Sequence, residues 1–175
     1  EATWRSRFAR GLVLDETGNA LLPDYACKTG ERIYYYRELA QEAEIPFYET
    51  ILYQDEHILV ADKPHFLPVI PSGKYVQQTL LVRLKKTTGI AELSPVHRID
   101  KDTAGLVLFS VNPETRDAYQ SLFRNRTVNK IYHAVAPILE GKQFPLRYCG
   151  KLVEDAQFFR TRELAGEANS ETIIE

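Results

Sequence analysis

The sequence is poor in the residues that staple or metallate a protein. Its two cysteines, Cys27 and Cys149, stand alone, with no CxxC pair and no Cys/His clustering. One disulfide is the most they could form, and buried free thiols in a reducing compartment are expected instead. The four histidines, His57, His65, His97 and His133, show no metal-ligand spacing. No apolar run approaches the roughly 18 to 20 residues that a membrane-spanning helix needs, and Glu1 to Arg7 lack the apolar core of a secretory signal. Repeats, low-complexity tracts and a phosphate-binding glycine loop are missing too. The expectation is a cytoplasmic protein without metal, cofactor or membrane contact, monomeric by default.

What is present reads as one ordinary globular domain with a small addition. The chain has 175 residues, of which 44% are hydrophobic and 26% charged, within the range of packed domains rather than disordered ones. The net charge of −2 hides a partition. Residues 38–62 hold seven acids and no Lys or Arg, whereas residues 63–153 hold fourteen bases and six acids. A polyanion responds to the local field and not to the sum. The charge therefore permits a nucleic-acid partner without requiring one.

Residues 11–37 read as short strands and turns, with Leu12-Val13-Leu14 and Ile33-Tyr34-Tyr35-Tyr36 as the strand segments. The polar stretch from Arg37-Glu38 to Glu44 leads to Pro46, so a boundary is placed near residue 45, between 1–45 and 46–175. Ile58-Leu59-Val60-Ala61 predicts a buried strand, and the prolines and glycine of 65–73 predict a loop. Residues 75–88 set Val76, Leu80, Leu81 and Leu84 at helical spacing, with Gly89 as the stop. Leu106-Val107-Leu108-Phe109 predicts a second buried strand. Asn112 is expected to cap a further helix with Pro113 in its first position and Ala118, Tyr119, Leu122 and Phe123 on its apolar side. Val128 to Ile138 alternates Ile131, His133 and Val135 with Lys130, Tyr132 and Ala134, which predicts another strand. Strands and helices mix without βαβ regularity. The fold class is α+β, with a mixed, mostly antiparallel sheet flanked by helices.

The stretch Ser94-Pro95-Val96-His97-Arg98-Ile99-Asp100-Lys101-Asp102-Thr103-Ala104-Gly105 gathers two carboxylates, an arginine, a histidine and a hydroxyl between a basic helix and a buried strand. Such loops, held by rigid elements, are where catalytic groups are commonly placed. Asp100 could act as a nucleophile or general base, kept ionised by Arg98 or Lys101. Equally, Arg98 and Asp100 could simply pair while Asp102 and Thr103 hydrogen-bond the turn. The residues alone leave both open.

HRIDKDTAGL closely resembles the central motif of the RluA-like pseudouridine synthases, usually written HRLDxxTSGL. Upstream, Asp62-Lys63-Pro64 and Pro71-Ser72-Gly73 resemble that family's lysine-proline segment. Downstream, Asn129-Lys130-Ile131-Tyr132 resembles its Lys-x-Tyr motif. Three ordered matches are far more specific than one. Two departures stand beside them: Ala104 replaces the usual Ser, and the family's third motif, a Gly-Arg-Thr-His-Gln-Leu-Arg-like segment, is absent. The tail Glu167 to Ile174 is similar to the strand that leads into that motif, so a catalytic domain incomplete at its C-terminus is expected. Residues 5–36 weakly resemble the second half of the small RNA-binding module often fused ahead of these enzymes.

The resemblance implies an isomerase that cuts the N-glycosidic bond of a uridine in structured RNA, rRNA or tRNA, turns the base and rejoins it through C5, with no cofactor or metal. A base inside a stack cannot react, so it must be flipped out. Asp100 is then the essential carboxylate, whether as nucleophile towards ribose or ring or as a base. Tyr132 lies against the uracil, and Arg98 pairs with a carboxylate or fills the gap in the stack. His97 orders the loop, while Thr103 and Lys63 belong to the substrate-binding set. Lys101 and Lys130 are candidate phosphate contacts, joined by Arg83, Lys85, Lys86, Arg124 and Arg126. A protein-kinase loop is excluded, because Ile99 separates Arg98 from Asp100 and Gly105 stands where an Asn is needed. The alternative is a non-catalytic RNA-binding module of the same fold, which the missing third motif favours and the intact Asp100 and Tyr132 oppose.

Overall fold

The structure is a computed structural model that describes residues 2–36, 41–137, 140–157 and 160–175. It falls into two compact units, Glu1–Asn129 and Lys130–Glu175. The sides of the boundary expected near residue 45 thus lie in one unit, and residues 37–40 of the polar stretch before it lie outside the described residues.

The core of the first unit is a four-stranded sheet in the order β3 (Thr50–Gln54), β4 (Ile58–Lys63), β6 (Gly105–Ser110) and β5 (Ser94–Pro95). Every described strand pair in the chain is antiparallel. Alternation decides which face is covered. On β4, Leu59, Ala61 and Lys63 point inward, opposite Phe109, Val107 and Gly105 of β6. Leu59, Val107 and Phe109 are fully buried, and each contributes about 1.5–3 kcal/mol of transfer free energy. They pack with Ile45, Leu67, Val69 and Leu93, and with Leu80 and Leu84 from α2 (Leu80–Thr88).

The second helix begins later than its apolar spacing suggests. The amide groups of Val76, Gln77 and Gln78 all donate to the Glu42 carboxylate, at 2.6–2.9 Å, and not into a helical turn. Burial works to raise the pKa of Glu42, but the three amides and nearby Lys86 outweigh it and hold the group below its usual value. Thr79 is the cap, its hydroxyl accepting from the Val82 amide at 3.4 Å. Leu80 and Leu81 donate to the carbonyls of Pro68 and Val69, which ties the irregular 65–73 segment to the helix. From the same helix Arg83 donates to the carbonyls of Ile45 and Phe47 at 2.7 Å each and pairs with Glu49 at 3.2 Å. Arg83 therefore straps residues 45–49 to the core, and is not available for the phosphate contact expected of it.

Before the sheet, α1 (Ala2–Ala9) stands beside a two-stranded ribbon of β1 (Val13–Leu14) and β2 (Tyr34–Tyr35), with the Arg7 guanidinium over both Trp4 and Tyr35. After it, α3 spans Arg116–Arg124. Asn112 does not cap that helix; its Oδ1 accepts from the Glu114 amide and opens a turn, so the helix starts one turn late. None of the α3 side chains is buried.

The second unit holds β7 (Leu146–Glu154) flanked by β8 (Thr161–Leu164) and β9 (Ser170–Ile174), the last being the strand expected in the tail. The strand expected over 128–138 does not form: residues 128–137 carry no ladder, and Ile138 lies outside the described residues. Alternation records which side chains share a face, but a strand also needs a partner edge for its amides and carbonyls. Cys27 and Cys149 are free as expected but exposed and not buried. Each sits where few apolar neighbours surround it, a property of the fold that spacing could not show. Among the described residues no helix is long and apolar enough to cross a membrane.

Gly89 ends α2 in the left-handed region, φ 73°, with its amide on the Lys85 carbonyl. Gly89→Ala leaves packing unaffected, since no atom lies within 4 Å of the added carbon, and is expected to cost about 1 kcal/mol in thermal unfolding.

Candidate active site

The sheet delivers one charged group into the core. Lys63 is the last residue of β4 and faces inward with Leu59 and Ala61, so its side chain runs beneath the loop that follows and is 0% exposed. Its ammonium donates to the carbonyls of Pro64 at 3.0 Å, Leu67 at 2.8 Å and Lys101 at 3.1 Å. All three of its donors are thereby used. Burial pushes the Lys63 pKa down to about 8, against the opposing pull of Asp102 and Asp100. Lys63 was expected in the substrate-binding set. The structure places it below the surface, where it joins the loop after β4 to the Asp100 loop.

The Asp100 loop is fixed at several further points. Val96 donates to the Leu108 carbonyl at 2.8 Å, and the Leu108 amide donates to His97 Nε2 at 3.1 Å. Accepting at Nε2 requires a neutral imidazole with its proton on Nδ1. The same ring stacks on Phe123 of α3 at 4.4 Å. His97 is thus a loop-ordering residue in geometry. Thr103 closes a tight turn by donating to the Asp100 carbonyl at 3.1 Å, and His65 Nδ1 bonds the Asp102 carbonyl at 2.7 Å. Ile99 packs against the core, which turns Arg98 and Asp100 on either side of it to solvent.

The loop's ion pair is Lys101 with Asp102, at 3.2 Å. Among the described residues Arg98 and Asp100 form no ion pair, so the salt-bridged turn that the residues alone left open is not what forms. Asp100 is left as an exposed carboxylate on a rigid support. Thr103 is half-buried beside it. Arg124 is engaged with Asp117 at 3.0 Å. Lys130 and Tyr132 belong to the second unit, both exposed, with Tyr132 at 64%. His65 and Phe66 were passed over as mere loop; no periodicity marks them, and only the fold brings His65 to Asp102. No group of metal-ligating side chains occurs among the described residues.

Residues 57–175 match the family described as RNA pseudouridylate synthase. The chain belongs to that family. A Synechocystis RNA pseudouridine synthase is 33% identical over 132 residues, covering 75% of this chain and 45% of the relative. The tRNA pseudouridine(31) synthase of Saccharomyces cerevisiae is 40% identical over 85 residues, 49% of this chain and 20% of its own length. The ribosomal large subunit pseudouridine synthase D of Pseudomonas aeruginosa is 37% identical over 101 residues, 55% of this chain and 30% of its own. The chain spans less than half the length of each of these relatives.

Lys63→Met removes the ion and leaves three carbonyls without a donor. Unfolding in urea is expected to show a loss of about 3 kcal/mol. Its pH dependence has a definite sign. The folded ammonium titrates at about 8 and the unfolded one at 10.5. Between these values the unfolded chain holds the extra proton, so stability of the unsubstituted protein rises with pH relative to Lys63→Met. A difference that shrinks from pH 8 to pH 10 contradicts the assignment.

Proposed function

We propose that the full-length protein isomerises a specific uridine of structured RNA, rRNA or tRNA, to pseudouridine, with Asp100 as the essential carboxylate. The observation that carries this is Asp100 itself: a solvent-facing carboxylate without an ion-pair partner among the described residues, on a loop braced from below by the buried Lys63 ammonium. Membership of the family gives that carboxylate its reaction. Relatives named for tRNA and for the large ribosomal subunit supply the two substrate classes. The protein works in the cytoplasm and needs no cofactor.

The chemistry asks for little beyond these side chains. The C1′–N1 bond breaks, the uracil turns, and a C1′–C5 bond forms; the C5 proton leaves and N1 gains one, so nothing is consumed. An ionised Asp100 near the ribose serves any of its three roles, as nucleophile to the sugar, as nucleophile to the ring, or as base. In this reading the Tyr132 ring stacks on the base and its hydroxyl can serve in proton transfer. Arg98, exposed beside Asp100, fills the gap that the flipped nucleotide leaves. Lys101 and Lys130 contact phosphates, and Thr103 and His97 keep the loop in shape.

Asp100→Asn is expected to lower turnover by about 10³-fold or more while RNA affinity stays within threefold. Primer extension after carbodiimide labelling reads the first, and filter binding reads the second. If the unsubstituted full-length protein leaves no labelled stops on cellular RNA yet binds it, the RNA-binding module without catalysis is the correct account.

A further inference from the structure

Phe66 lies between the Pro64 and Leu67 carbonyls that hold Lys63, and the chemistry above does not use it. Its φ is +68°, in the left-handed region that bulky residues avoid. Both neighbours are held: Lys63 Nζ bonds the Leu67 carbonyl on one side, and His65 Nδ1 bonds the Asp102 carbonyl on the other. These two bonds flank Phe66 in the chain. The strained conformation turns the phenyl ring outward, where it is 50% exposed. The Phe47 ring, 47% exposed, lies 5.9 Å away at 44°. The His65 ring is also 5.9 Å away, at 46°. Strain that serves to expose an apolar ring on a segment tied to the Asp100 loop runs against both local sterics and burial, and strain of this kind concentrates at functional sites.

We propose that Phe66, with Phe47 beside it, is a stacking platform for an unpaired nucleobase adjoining the uridine presented to Asp100. The inference rests on the RNA reading above and adds a contact that none of the sequence motifs contains. Charge selects the occupant. The exposed Arg98 and Lys101 lie on the loop to which the platform is tied, and residues 63–153 carry fourteen bases against six acids. Aromatic faces interleaved with cations suit a single-stranded nucleic acid better than an apolar protein surface. Flipping one nucleotide also leaves its neighbour without a stacking partner, and a phenyl ring replaces the lost one.

The test uses the full-length protein with Phe66→Gly, Phe66→Tyr and Phe66→Trp. Phe66→Gly removes the strain, so its Tm is expected to rise, while KM for RNA rises about tenfold and kcat stays within twofold. Phe66→Tyr restores KM. Phe66→Trp is expected to show fluorescence quenching, relative to the unsubstituted protein, on titration with a short single-stranded oligouridylate. An unchanged KM in Phe66→Gly, or a lowered Tm with equal impairment in Phe66→Tyr, overturns the platform. Quenching in Phe66→Trp together with an unsubstituted protein that isomerises nothing removes the catalytic reading and keeps the platform. An active protein whose Phe66→Trp variant shows no quenching does the reverse.

Discussion

A single buried ammonium organises the reactive part of this molecule. Taking a lysine out of water is costly, and Lys63 offsets that cost only because three main-chain carbonyls converge on it. Two of those carbonyls belong to the segment just after β4 and the third to the Asp100 loop, 38 residues on. An apolar residue of similar volume could fill the same space. It could not bind those carbonyls, and the His65 Nδ1 contact with the Asp102 carbonyl would be left as a side-chain link between the two segments. The depressed pKa is the trace of this arrangement. The site is held together by a charge that the core tolerates reluctantly.

Around that tether the loop has little choice of conformation. Ile99 is drawn into the core, His97 is fixed between the Leu108 amide and the Phe123 ring, and Arg98 and Asp100 are left facing water. Among the described residues Asp100 forms no ion pair. Its neighbour Asp102 is engaged with Lys101, so the loop's two carboxylates differ in availability although they are two residues apart. Preorganisation of this sort costs stability elsewhere and removes reorganisation from the reaction.

Much of this was legible in the chain. The apolar runs at 58–61 and 106–109 predicted the paired central strands, and Gly89 predicted the helix stop. Two of the differences depended on partners distant in sequence. The helix expected from residue 75 starts at Leu80 because Glu42, more than thirty residues earlier, claims the three amides before it. Arg83 looked like a surface cation until residues 45–49 closed over it. Lys63 was read as a ligand contact, since nothing in Asp62-Lys63-Pro64 distinguishes an inward lysine from an outward one except strand parity. Asn112, by contrast, failed locally, because an Asx turn and a helix cap use the same side-chain chemistry.

The strap formed by Glu42 and Arg83 bears on how a polyanion meets this protein. Residues 38–62 look forbidding to RNA, with seven acids and no base. Several of those charges are turned to internal use: Glu42 on three amides, Glu49 on Arg83, and Asp55 on the amides of His57 and Ile58. An acid whose oxygens are already solvated by the protein's own donors projects a weaker field than one bare in water. In the RNA complex proposed above, the approach of a phosphate chain would be governed by counterions displaced at the remaining exposed cations, and the ionic-strength dependence of association would report on those cations and not on the chain's formal charge.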